Sequence, residues 1–113
     1  MLEFLKKLFA GPPSIDIVEL DRLLTAGEVR LIDVREPAEF KSGHVPGAIN
    51  VPLGRIDSQI PKLKKDKPYA VICQSGHRSN GGVRILMDAG FTDAVSVQGG
   101  TGAWGRSGRK LVR

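Results

Sequence analysis

Short apolar runs alternate with helix-like segments along this chain, and no other feature constrains the fold as much. Val29-Arg30-Leu31-Ile32-Asp33-Val34, Ala48-Ile49-Asn50-Val51, Pro68 to Cys73 and Ala94-Val95-Ser96-Val97 read as strands. Asp16-Ile17-Val18-Glu19 reads as a capping box that opens a helix through Leu20, Leu23 and Leu24, with Gly27 as its C-terminal cap. Pro37 to Lys41 predicts one or two helical turns, and Pro52 to Ile60 a short helix. Ser79 to Ala89 predicts a longer helix closed by Gly90, and Gly99 to Trp104 opens a last one. Strands joined through helices run parallel, in a sheet covered on both faces. The expected fold class is α/β, in one domain, since 113 residues suffice for one modest core.

Composition excludes several functions. One cysteine, Cys73, cannot build a disulfide framework or a cysteine-rich metal site, and His44 and His77 alone are a weak ligand set. A free thiol fits a reducing compartment, so a cytoplasmic protein is expected. The net charge of +5 suits an anionic substrate or partner. Part of it lies in Lys62-Leu63-Lys64-Lys65 with Lys67, and part in a basic tail, residues 105–113. Few aromatics interleave with these charges, so no nucleic-acid stacking platform is expected. Nothing approaches the roughly 20 apolar residues of a membrane span.

Residues 1–13 read as an amphipathic segment and linker ahead of a domain over residues 14–104. Leu2, Phe4, Leu5, Leu8 and Phe9 share one helical face, and Gly11-Pro12-Pro13 ends it. So short a helix must dock: on its own domain, on a second copy in a weak dimer, or on a membrane surface.

The chemistry points to Cys73-Gln74-Ser75-Gly76-His77-Arg78-Ser79, between an apolar strand and a helix. Such a junction aims several backbone N–H groups at one point, and the helix dipole adds positive charge. A thiol held there ionises below its free value of about 8.5. Alone, a free cysteine reads equally well as a small buried hydrophobe. Gly76 leaves room in the curve, Arg78 adds a permanent cation, and a helix follows, and together these favour a nucleophile. His77 has no evident partner and reads as a solvent-facing rim residue. His44, beside Pro46 and Gly47, reads as a hydrogen-bonded turn histidine. Trp104 reads as a core or interface anchor.

Four pieces of the chain resemble the single-domain rhodaneses, a sulfurtransferase family. They are Leu31-Ile32-Asp33-Val34-Arg35-Glu36, Gly43-His44-Val45-Pro46-Gly47-Ala48-Ile49-Asn50, the Cys73 loop, and Gly99-Gly100-Thr101-Gly102-Ala103-Trp104, in the family's order. The resemblance covers residues 14–104. It implies a five-stranded, mostly parallel α/β sheet with helices on both faces. It implies that Cys73 takes sulfur from a small anionic donor such as thiosulfate and passes it, through a persulfide, to cyanide or a thiol, without metal or organic cofactor. Gln74, Ser75, Gly76, His77, Arg78 and Ser79 become substrate-binding, and Asp33, Arg35 and His44 structural residues near the site. A persulfide carrier serving a protein acceptor is the main alternative. A phosphatase or arsenate reductase is less favoured. Cell-cycle phosphatases resemble this loop with one residue more, and the shorter loop here suits a sulfur atom better than a phosphate. Two features depart from the family pattern: Gly81-Gly82 early in the helix after the loop, and a tail lacking the usual apolar end.

Overall fold

Tyr69, Ala70, Val71 and Ile72 are all buried, as a strand covered on both faces requires. The other elements are layered around them. The computed structural model describes residues 12–113, and the amphipathic segment expected over residues 1–10 lies outside them. In chain order the elements are β1 (Ser14–Ile15), α1 (Ile17–Thr25), β2 (Arg30–Asp33), α2 (Pro37–Ser42) and β3 (Ile49–Asn50). A 3-10 turn, Leu53–Arg55, the short α3 (Ile56–Gln59) and a second 3-10 turn, Ile60–Lys62, replace the single helix expected over this stretch. Then come β4 (Tyr69–Ile72), α4 (His77–Asp88), β5 (Ala94–Val97) and α5 (Gly100–Arg106).

The sheet order is β1-β5-β4-β2-β3, and every pairing is parallel. Two apolar layers sandwich it. On one face Ile32, Val34, Val71, Val83 and Leu86 pack with Ile56 and Phe91. On the other Leu20, Leu31, Ala70, Ile72 and Val97 pack with Trp104. The helices lie on both faces because each strand's alternate side chains feed both layers.

Local chemistry sets the ends of elements. Asp16 caps α1, its carboxylate accepting the Glu19 N–H at 2.8 Å. The return half of that box does not form, because the Glu19 carboxylate takes Arg22 instead. Gly27, at φ +68°, turns the chain just past α1. Within α4, Gly82 lies against the sheet: a Cβ there would sit 3.1 Å from Val71 Cγ1. Gly81 has no such neighbour inside 3.9 Å.

Two further features differ from the sequence expectation. β1 was not anticipated; it joins the sheet edge through Ser96 N–H to the Pro13 carbonyl and Gln98 N–H to the Ile15 carbonyl, both 2.8 Å. The basic tail is also tied down. Val112 and His44 exchange two backbone hydrogen bonds of 2.8 Å, and Leu111 packs against the Trp104 layer. The Trp104 indole N–H donates to the Lys110 carbonyl at 2.9 Å, and Arg109 pairs with Asp21 at 2.7 Å.

Candidate active site

β4 delivers Cys73 to the C-terminal edge of the sheet, where ligands of open parallel sheets bind. The chain then curls over the sulfur and enters α4. Gly76 makes the curl at φ +102°, a region costly for any residue with a Cβ. Its N–H points back at Cys73 Sγ from 3.1 Å, and the Ser79 N–H does so from 3.3 Å. The Ser79 hydroxyl lies 3.5 Å from the same sulfur.

α5 buttresses the loop from outside. Thr101 N–H donates to the Cys73 carbonyl at 2.8 Å and Gly102 N–H to the Gln74 carbonyl at 3.0 Å. With these carbonyls tied outward, the amides that follow are left facing the sulfur. The approach demands glycine: a Cβ on Gly100 would sit 2.6 Å from the Gln74 carbonyl carbon and closer still to the Cys73 oxygen.

Cys73 is buried. Burial is the largest influence on its thiol and pushes it up. The Ser79 hydroxyl and the amides of Ser79, Gly76 and Ser75 together pull it down further, leaving the thiol below its ordinary value. That is the direction a nucleophile at a helix N-terminus needs.

Arg78 is not free at the loop's end. Its guanidinium donates to both Glu39 carboxylate oxygens, at 2.7 and 2.9 Å. Arg78 holds the Glu39 carboxyl down to about 2, against burial, which raises it. The pairing raises Arg78 further, and Cys73 adds a weaker attraction. Glu39 sits on α2, where its carboxylate also accepts the Glu36 N–H at 3.2 Å. No sequence pattern pointed to Glu39.

The other expected residues separate into groups. Gln74, Ser75 and His77 are exposed on the loop. Ser75 and His77 border an open cavity of about 620 Å³, also lined by Gly76, Asn80, Arg84, Ser96 and Gln98, and Cys73 does not line it. Ser79 turns inward under the sulfur and away from solvent. Asp33 and Arg35 form a closed pair, 0% and 5% exposed, with hydrogen bonds of 2.9 to 3.1 Å. Arg35 also donates to the Gly43 carbonyl at 2.7 Å, and Asn50 bridges the Asp33 and Arg35 carbonyls. This network clamps the segment carrying His44. His44 stacks on Phe40 at 3.7 Å and hydrogen-bonds the Phe40 carbonyl through Nδ1 at 2.8 Å, so Nδ1 carries the proton. Among the described residues no group of three His, Cys, Asp or Glu side chains could hold a metal ion, and no helix is long and apolar enough to cross a membrane.

The model of the rhodanese-like domain matches residues 16–107. The chain belongs to the rhodanese-like domain family. It is 34% identical over 91 residues to a protein of Allochromatium vinosum named sulfurtransferase, covering 80% of this chain and 85% of that one. It is 38% identical over 78 residues to the uncharacterized protein YqhL of Bacillus subtilis, 69% of this chain but only 62% of YqhL. A rhodanese-related protein from Thermoplasma volcanium superposes with a TM-score of 0.81 at 34% identity, covering 88% of this chain and 97% of its own. The five-stranded parallel sheet described above is the fold this chain shares with the Thermoplasma protein.

Proposed function

We propose that the protein is a sulfurtransferase that carries sulfane sulfur as a persulfide on Cys73, in the cytoplasm and without metal or organic cofactor. The observation that carries this reading is the cradle: Gly76 and Ser79 aim N–H groups at Cys73 Sγ from 3.1 and 3.3 Å. Fixed donors aimed at a charged sulfur need no reorganisation when charge develops there. In the first half-reaction the Cys73 thiolate attacks the outer sulfur of thiosulfate. The sulfur–sulfur bond of the donor breaks, and its electron pair leaves with sulfite. In the second, cyanide or a thiolate attacks the terminal sulfur of the persulfide and regenerates the Cys73 thiolate. This is two-step covalent catalysis, and atoms and electrons balance without an added oxidant or reductant. Four residues separate Cys73 from Arg78, which favours a sulfur-sized cradle over a phosphate site.

A second reading, a persulfide carrier for a protein acceptor, is favoured by Arg78. Its charge is shared with Glu39, so a small anion finds less attraction at the loop than a free arginine gives. Thiosulfate-to-cyanide transfer by purified protein and by Cys73→Ala separates the possibilities. Cys73-dependent thiocyanate formation supports the enzyme. Equal rates in both proteins remove Cys73 from the reaction. Poor turnover with persulfide still found on Cys73 by mass spectrometry of protein taken from cells supports the carrier.

A further inference from the structure

The Ser79 hydroxyl has one hydrogen and three polar neighbours: the Gly76 carbonyl at 3.0 Å, Ser96 Oγ at 2.7 Å and Cys73 Sγ at 3.5 Å. A carbonyl only accepts, a thiol donates weakly, and a thiolate only accepts. Ser96 is 1% exposed, and Ser79 Oγ is the one hydrogen-bond partner of its hydroxyl among the described residues. No buried side-chain N or O there lacks a partner.

Packing does not call for a hydroxyl at this position. Ser96 lies in β5 opposite Val71, on the strand face it shares with Ala94, which packs with Val83 and Cys73. Alanine would fill that place without desolvating a polar group, which costs about 1–3 kcal/mol when left unpaired. The hydroxyl therefore has its use toward Ser79.

Hydrogen counting then distinguishes the two states of Cys73. With a thiol, Ser79 Oγ accepts from S–H, accepts from Ser96, and donates to Gly76. With a thiolate, the Ser79 hydrogen swings to the sulfur, and Ser96 is the one donor left to the Ser79 oxygen. Removing the Ser96 hydroxyl leaves that oxygen without a donor only in the thiolate state. Accepting from Ser96 also polarises the Ser79 O–H toward the sulfur.

We propose that Ser96 is a positioning residue for Cys73, acting through Ser79 to stabilise the charged sulfur beside the backbone cradle. The inference rests on Cys73 as the nucleophile proposed above. It concerns ionisation alone, so it stands or fails separately from sulfur transfer. The charged groups around the loop are the Arg78–Glu39 pair, the closed Asp33–Arg35 pair, His77, Arg84 on the cavity that Ser96 also lines, and Arg106, whose guanidinium lies beside Gly102 next to Gln74. The Ser96 hydroxyl hydrogen-bonds none of them.

The test is the pH profile of Cys73 alkylation by iodoacetamide, read by intact mass, with no sulfur donor or acceptor present. Ser96→Ala should shift the profile to higher pH and slow alkylation at pH 7 by about threefold to tenfold, the worth of one hydrogen bond. Ser79→Ala should shift it at least as far, and the Ser79→Ala/Ser96→Ala double variant no further than Ser79→Ala alone. Ser96→Thr, which keeps the hydroxyl, should lie nearer the parent than Ser96→Ala. A Ser96→Ala profile that superimposes on the parent overturns the proposal. So does a double variant in which the two shifts add, or a Ser96→Thr profile displaced further than that of Ser96→Ala.

Discussion

Arg78 and Glu39 stand 39 positions apart in sequence and close a two-pronged ion pair of 2.7 and 2.9 Å between the Cys73 loop and α2. The pair is about one-third exposed, so its worth to stability is modest, about 0.2–1 kcal/mol. Its larger consequence is for the charge offered to a donor. Arg78→Ala should raise KM for thiosulfate with little change in kcat. Glu39→Gln, which releases Arg78, should lower that KM several-fold. Steady-state kinetics of both variants check this, and a KM unchanged in both removes the pair from donor binding.

The same pair sets a sign for pH. Glu39 ionises at about 2 in the folded protein against 4.5 for an ordinary glutamate. A carboxyl lowered on folding contributes stability that is fully present above its unfolded pKa and is lost as pH falls through its folded one. The contribution should therefore fade between about pH 4.5 and 2. Denaturant midpoints for the parent and Glu39→Gln should converge over that window, by no more than about 1 kcal/mol after solvent screening.

Asp33 and Arg35 should behave differently because both are buried. Arg35→Met leaves the Asp33 carboxylate without its guanidinium and the Gly43 carbonyl without its donor. Breaking one partner of a buried pair costs about 3–5 kcal/mol. Urea unfolding should show a loss of that size, far above the Arg78→Ala effect.

Neighbouring glycines give a paired prediction in α4. Gly81→Ala meets ordinary contact distance and should stabilise by about 0.5–1 kcal/mol through helix propensity. Gly82→Ala forces a methyl to within 3.1 Å of Val71 Cγ1 and should be neutral or destabilising. Thermal unfolding of the two single variants should therefore diverge in sign or size.

How much could be read in advance follows from what is local in the chain. The Cys73 loop was legible because a strand, a glycine and a helix start lie next to one another. Gly76, expected to leave room in the curve, turns there at positive φ, and Gly99 and Gly100 turn beside the loop. Glu39 and Ser96 gave no signal, because their roles arise only when α2 and β5 are brought to the loop by the sheet order. β1 was invisible for another reason: two residues after Pro12-Pro13 carry no periodicity. The tail misled because four of its nine residues are basic, while its anchors, the Val112 backbone bridge, the Leu111 side chain, the Lys110 carbonyl and the Arg109–Asp21 pair, all depend on residues distant in sequence or on the folded surface.

The most direct measurement of a Cys73 persulfide is the intact mass of the protein after thiosulfate treatment. The expected result is a gain of one sulfur atom, removed by adding cyanide and absent in Cys73→Ser. No gain in the parent, or a gain that persists in Cys73→Ser, would contradict it.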